Sequence, residues 1–165
     1  VRKDEEFISF AEGCTVRLRQ IAFLMCRDWH LAQDLTQTTL TKVYIAWPRL
    51  TRRDTDPFFY ARKVLLNTLL DHKRRPSTSE LATDQLPEHP DSPDLTAARL
   101  TLLGALALLS PRDRAIVLLR HWEDHSVETT AEIVGVSTSV VKTQTARGLA
   151  ILRAHLGEER MALFS

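Results

Sequence analysis

The chain has 165 residues, room for one ordinary domain or two small ones, and its 44% apolar and 26% charged content is that of a globular protein rather than a fibrous or disordered one. No apolar run approaches the roughly 18 residues a membrane helix needs, and the charged start (Arg2, Lys3, Asp4, Glu5, Glu6) does not read as a secretory signal. The net charge of +1 is unevenly spread: residues 1–75 carry 14 Lys/Arg against 9 Asp/Glu, 76–110 carry one Arg against five acids, and 111–165 carry seven of each, so a basic half meets an acidic middle and a polyanionic partner is expected.

Phe7, Phe10, Ala11, Cys14, Leu18, Ile21, Leu24 and Met25 recur at helical spacing, which predicts a helix over 7–25. The two cysteines, Cys14 and Cys26, are apolar-flanked, too far apart along one helix to be bridged, and not part of a CxxC pair. No disulfide, metal site or cofactor is therefore expected, and a reducing, cytoplasmic compartment is. Asp28 is placed to cap a second helix from Trp29 to Ala46, ended by Pro48. Its apolar residues are Leu31, Leu35, Leu40, Val43, Tyr44 and Trp47, and its other face carries Gln33, Asp34, Gln37, Thr38 and Thr41. The stretch 48–57 lies between prolines without helical period and reads as a loop. Pro57 then opens a third helix to about Arg75 that buries Phe58, Ala61, Val64, Leu65 and Leu69.

Residues 76–94 hold four of the seven prolines and five acids, with few large apolar residues, and read as an extended linker. Helical period returns with Leu95, Ala98, Leu102, Ala105, Leu106 and Leu109. Ser110-Pro111 starts another helix, with Ala115, Leu118, Leu119 and Trp122 inside, and helices over 126–134 and 137–156 follow. Nothing alternates with period two. The expected fold is all-α: two small helical domains, 1–75 and 95–165, joined by the acidic, proline-rich linker 76–94.

The sharpest local signal lies in the second domain. Two helices crossing steeply need a small residue at the contact, supplied by Ala131, and a turn residue tolerant of positive φ, supplied by Gly135. Ser137 is placed to cap the second of them, and Val136, Val140 and Val141 anchor it on the first. This is helix-turn-helix spacing. The outer face of the second helix carries Ser139, Lys142, Thr143, Gln144 and Arg147, and no acid lies between Ser137 and Arg153. Such a face can enter a major groove, with Gln144 and Arg147 bonding base edges and Lys142 and Arg153 neutralising phosphates. An ordinary helical hairpin with a solvated basic face is the plainer alternative.

In the first domain, nine of the eleven aromatic residues lie before position 61. Trp47, Phe58, Phe59 and Tyr60 are interleaved with Arg49, Arg52, Arg53, Arg62 and Lys63, followed by Lys73, Arg74 and Arg75. Aromatic faces among cations suit unpaired bases and their phosphates, although Phe58 also fits a core position. The polar face Asp34, Gln37, Thr38, Thr41 has no evident internal use, so it is either simply solvated or a protein-docking surface.

These segments, in this order, resemble the extracytoplasmic-function sigma factors of the sigma-70 family over nearly the whole chain. Asp28 to Thr38 (DWHLAQDLTQT) is similar to the part of region 2 that docks on the clamp helices of the polymerase β′ subunit. Asp56 to Arg62 (DPFFYAR), Asn67 and Asp71 to Arg75 (DHKRR) are similar to the promoter-melting helix. Leu109 to Ala115 (LSPRDRA), Trp122 to Ala131 and Val141 to Ala150 (VKTQTARGLA) are similar to region 4. The phrases DWHLA, YIAWPRL and KTQTARGLA are especially similar to an actinobacterial, SigE-like subgroup. The resemblance implies a transcription initiation factor, not an enzyme, that binds core RNA polymerase and directs it to promoters. It implies polymerase contacts at Leu31, Asp34, Leu35, Gln37, Thr38 and Thr41. Minus-ten contacts and melting fall to Arg49, Arg52, Arg53, Arg62, Lys63, Asn67 and Asp71, with a flipped base held by the 49–56 loop. Minus-thirty-five reading falls to Ser139, Lys142, Thr143, Gln144, Ala146 and Arg147. The implied partners are the β′ clamp helices, the β flap, duplex and single-stranded promoter DNA, and an anti-sigma factor as a candidate; no membrane is involved. Thr38 and Gln33 stand where the family commonly has acids, which removes negative charge from the docking face. A stand-alone helix-turn-helix regulator, and a sigma mimic or antagonist that does not read DNA, are the competing expectations.

Overall fold

Arg27 and Asp28 set the first corner of the chain. Helix α1 (Arg2–Cys26) ends where Arg27 takes a φ of 58°, and the Asp28 side chain accepts from the Leu31 amide to start α2 (Trp29–Arg52). A carboxylate in that place satisfies one of the amides that a helix start leaves unbonded. Helix α3 (Pro57–Asp71) follows a short turn. The computed structural model describes residues 2–71, 96–158 and 161. Regular structure among them is entirely helical, and the chain divides into two compact units, Val1–Gln85 and Leu86–Ser165. The acidic stretch 76–94, Leu95, and Lys73 to Arg75 lie outside the described residues.

In the first unit α1, α2 and α3 pack against one another in all three pairs. Leu18, Ala22, Ala32, Val43, Ala61, Leu65 and Leu66 close the centre completely. Phe7, Phe10 and Trp47 extend it at one end, the Phe7 and Trp47 rings meeting edge-on at 5.5 Å. The expected stop at Pro48 does not occur: α2 runs on to Arg52. A proline inside a helix forfeits a backbone bond and crowds the carbonyl four residues back. Here Trp47 and Leu50 are both buried on the core side of that turn, the Thr51 hydroxyl donates to the Trp47 and Pro48 carbonyls, and the Arg53 amide closes on Arg49 O at 3.1 Å. The loop is correspondingly short, Arg53 to Asp56, and Arg49 and Arg52 stand on the last helical turn.

The second unit is built from α4 (Ala97–Leu106), α5 (Pro111–Val117) continuing as one π turn (Leu118–Trp122), α6 (Val127–Val134) and α7 (Thr138–Leu156). Each α-helix starts on a hydroxyl: Thr96, Ser110, Ser126 and Ser137 accept from the amides of Arg99, Asp113, Thr129 and Val140. Helix α7 is the hub, packing on α4, α5 and α6. Arg114 is buried and donates to Leu106 O and Leu109 O, both at 2.9 Å, tying the end of α4 to the start of α5. Two apolar expectations fail here. Ala98 is exposed, and Trp122, read as interior, is 36% exposed. The π turn holds an extra residue, so a position that is inward by α-helical counting is rotated to the rim.

Gly148 lies where α7 meets α5 most closely: a Cβ there would stand 2.7 Å from Val117 Cγ2. Gly148→Ala is expected to destabilise the second unit by about 1–3 kcal/mol despite the better helix propensity of alanine, read by urea unfolding, with Val117→Ala in the same chain recovering part of the loss. In the first unit, burial pushes the Cys14 thiol up to about 11. At pH 8 iodoacetamide should therefore label the half-buried Cys26 well before Cys14, and mass spectrometry of the partly labelled chain will show the order.

Candidate nucleic-acid and polymerase interfaces

The outward face of α7 is produced by the geometry at its start. Gly135 caps α6 at φ 79°, in the left-handed region where a side chain would be strained. Ala131 is buried at the crossing, and Val141 is wholly buried beneath α7, with Val136 and Val140 half-buried beside it. With Val141, Gly148, Leu152 and Leu156 inward, Ser139, Lys142, Thr143, Ala146, Arg147 and Arg153 are exposed. No acidic residue lies on this helix, so its solvent side is uniformly neutral or positive. Two expected base readers are placed differently from the sequence reading. Gln144 is half-buried, with its Oε1 buried and without a hydrogen-bond partner among the described residues. Arg147 is exposed, but its Nε and Nη2 are engaged by the buried carboxylate of Asp113 at 2.8–3.0 Å.

The basic and aromatic residues of the first unit fall into two groups. Arg49, Arg52 and Arg53 are exposed around the end of α2. Arg49 lies over the Tyr60 ring at 5.7 Å, and its Nη2 is 3.4 Å from the Tyr60 hydroxyl. Asp56 caps the following turn by accepting from the Phe58 amide. Lys63 and Asn67 are half-buried on α3, and Asp71 is exposed at its end. Arg62 departs from expectation: it is only 3% exposed, with its guanidinium 5.1 Å from the Phe58 ring. Arg17 lies against the same ring at 4.6 Å. Phe58 thus faces two cations from a half-buried position, and Arg62 lies inside the unit rather than on its surface.

On α2, Asp34, Gln37, Thr38 and Thr41 are exposed together and Leu31 is half-buried beside them. Leu35, expected at the docking surface, is 8% exposed and belongs to the core, since it sits one residue round the helix from Asp34 on the inner stripe. Gln37 and Thr41 border a groove of about 430 Å³ between α1 and α2 whose other walls include Phe7, Ile8, Leu40 and Tyr44. The Tyr44 hydroxyl donates to Asp4 at 2.8 Å, and that carboxylate raises the phenol above its ordinary value.

Two family descriptions match the chain: sigma-70 region 2 over residues 13–78 and sigma-70 region 4 over residues 99–152. The RNA polymerase sigma-E factor of Streptomyces coelicolor is 39% identical across 92% of this chain and 88% of its own length. The chain is an extracytoplasmic-function sigma factor of the sigma-70 family. Within that family it stands close to the actinobacterial sigma-E factors, with that of Streptomyces antibioticus 38% identical over 92% of the chain. SigV of Bacillus subtilis is more distant, 28% identical over 87% of the chain and 86% of its own length. The fold likeness extends to the Bartonella quintana sigma factor RpoE, solved with the anti-sigma factor NepR, at a TM-score of 0.70 and 21% identity over 93% of this chain and 98% of that one.

A sigma factor binds core RNA polymerase and gives it promoter selectivity, while bond-making stays with the polymerase. Among the described residues no three His, Cys, Asp or Glu side chains are grouped to hold a metal, and no helix is long and apolar enough to cross a membrane. Sequence reasoning missed the Asp113–Arg147 pair, which joins positions 34 residues apart, and the exposed Ile8 and Ile45, which lie off the apolar stripes of their helices. For the sigma factor's Arg62, Arg62→Ala is expected to cost about 1–3 kcal/mol in thermal unfolding and to leave the salt dependence of DNA binding unchanged, whereas Arg52→Ala should reverse that pattern.

Proposed function

We propose that the two units divide promoter recognition between them, residues 1–75 acting as region 2, 76–94 as linker and 95–165 as region 4. The outer face of α7 reads the minus-thirty-five element in the major groove, with Thr143, Ala146 and Ser139 toward base edges and Lys142 on phosphate. The observation that carries this reading is the solvent exposure of that acid-free face, supported by the region 4 match over the same residues.

In region 2 the exposed Arg49, Arg52 and Arg53, with Tyr60 beside Arg49, would take the minus-ten strand, with Lys63, Asn67 and Asp71 following on α3. Extruding a base costs a few kcal/mol, and cations with aromatic faces are the groups that offset it. The face Asp34, Gln37, Thr38, Thr41 would dock on the β′ clamp helices and region 4 on the β flap, with the acidic linker along the RNA path. The Bartonella quintana structure holds an anti-sigma factor; by that likeness this sigma factor takes an anti-sigma partner too. It would work in the cytoplasm, where its polymerase is.

In vitro transcription with Streptomyces coelicolor core polymerase should yield a promoter-specific transcript only when the chain is added, and its absence overturns the reading. Within that system Lys142→Ala should weaken binding evenly across promoter sequences and lower the salt slope by about 1, while Thr143→Ala should relax preference at one position, worth about 1–3 kcal/mol.

A further inference from the structure

Helix α5 opens with three charged residues in a row, and the fold gives each a different task. Arg112 is exposed, Arg114 is buried and holds the end of α4, and Asp113 is buried facing α7. The helix start fixes where Asp113 stands: its amide donates to the Ser110 hydroxyl at 3.3 Å, and a carboxylate in the first turn suits the positive end of the helix dipole. The Asp113 side chain is 4% exposed against 56% for Arg147. Its two oxygens take Arg147 Nε at 3.0 Å and Nη2 at 3.0 and 2.8 Å, and among the described residues nothing else bonds that guanidinium. The anion is held in the interior. The cation stands at the surface, one helical turn after Thr143, on the face that the minus-thirty-five reading assigns to DNA.

We propose that Asp113 is a positioning residue for the minus-thirty-five readout: it grips Arg147 along the Nε–Nη2 edge and so presents the Nη1–Nη2 edge to a guanine. The inference rests on α7 being the reading helix, and it names the base and the group that aims the arginine. A guanidinium carries five N–H groups in one plane. Nε–H and one Nη2–H point the same way and meet the carboxylate. One Nη1–H and the second Nη2–H run parallel from the tip of the side chain, and bonding along the first edge leaves them free. Two parallel donors are what guanine O6 and N7 accept. Adenine sets a donor beside its N7 and thymine a methyl beside its O4, so neither accepts both. The carboxylate and the base can therefore hold one guanidinium at the same time. Burial decides how firmly it is aimed. An ion pair between two exposed groups is held loosely, whereas releasing Arg147 would strand a buried carboxylate without its fork. The side chain thus keeps its reading geometry before DNA arrives, and little rotamer freedom is lost on binding. Thr143, Ala146 and Ser139 are left to read neighbouring positions.

The test is a binding selection with holoenzyme, the full chain on Streptomyces coelicolor core polymerase, over promoters randomised through the minus-thirty-five element. The parent should prefer guanine by about tenfold or more at one position, and 7-deazaguanine there, which lacks the N7 acceptor, should weaken binding by about fivefold. Asp113→Asn keeps the shape, removes the charge and leaves an exposed arginine that water can solvate. Its guanine preference should fall to about threefold or less, while preferences at the other positions stay within about twofold of the parent's. The Asp113→Asn, Arg147→Ala double variant, which strands no carboxylate, should show no guanine preference at that position. A parent-like guanine preference in Asp113→Asn overturns the proposal, because the carboxylate would then not aim the arginine. A parent-like preference in the double variant overturns it too, because Arg147 would not be the reader. So does a loss spread over every position, since Asp113 would then only hold α7 in place. Should Asp113→Asn not fold, Asp113→Ser takes its place with the same expectations. A parent that discriminates within the element but nowhere for guanine sinks this proposal alone, whereas a parent with no preference at all sinks the reading of α7 as well.

Discussion

Helix α7 must bury one stripe and surrender the other to solvent, and the second unit is arranged around that requirement. Val141, Leu152 and Leu156 face inward, and Gly148 lets α5 approach so closely that even a methyl group would collide with Val117. The left-handed Gly135 and the small Ala131 set the angle at which α7 leaves α6. Serine caps on α6 and α7 satisfy the amides that each helix start exposes. None of these contacts touches a ligand, yet together they decide which side chains can. A helix rotated by one residue would turn Lys142 inward and present Val141, and the proposed promoter reading would be lost with the packing.

Arginine illustrates how one residue type is sorted by depth. Arg114 is interior and ties two helix ends together, Arg62 is interior against an aromatic ring, Arg147 straddles the boundary in a fork, and Arg49, Arg52 and Arg53 are exposed. A planar guanidinium can serve all four roles because it bonds in the plane and stacks on its face. For a sigma factor, whose working surface must be positive, this matters: only part of the basic residues in the chain remain available to phosphate, and the count in the sequence overstates the charge that DNA meets.

Much of the fold was legible before any coordinates. The stripe from Phe7 to Met25, the Asp28 cap, the Ser110-Pro111 start and the Ala131–Gly135–Ser137 turn all follow from spacing and local chemistry, which act over a few residues. The errors arose where longer contacts overrule local rules. Pro48 fails to stop α2 because Trp47 and Leu50 hold the turn against the core. Trp122 leaves the interior because a π turn shifts the register. At the sites, the exposed positions of α7 and the polar face of α2 could be read from periodicity, but Arg62, Leu35 and Gln144 could not. Each lies one position from the boundary between buried and exposed stripes, and packing rather than residue type decides which side it takes. The Asp113–Arg147 fork joins two helices distant in sequence, and its only visible sign was an acid among the basic residues of Arg112-Asp113-Arg114.

Promoter selectivity as proposed requires the solvent face of α7 to meet duplex promoter DNA. A photoreactive amino acid placed at Ala146, on that face and outside every packing contact the second unit depends on, tests it most directly. In holoenzyme bound to promoter DNA it should crosslink to base pairs of the minus-thirty-five element and fail to do so with the chain alone on the same DNA. Crosslinks only to polymerase or to the chain itself would contradict the account.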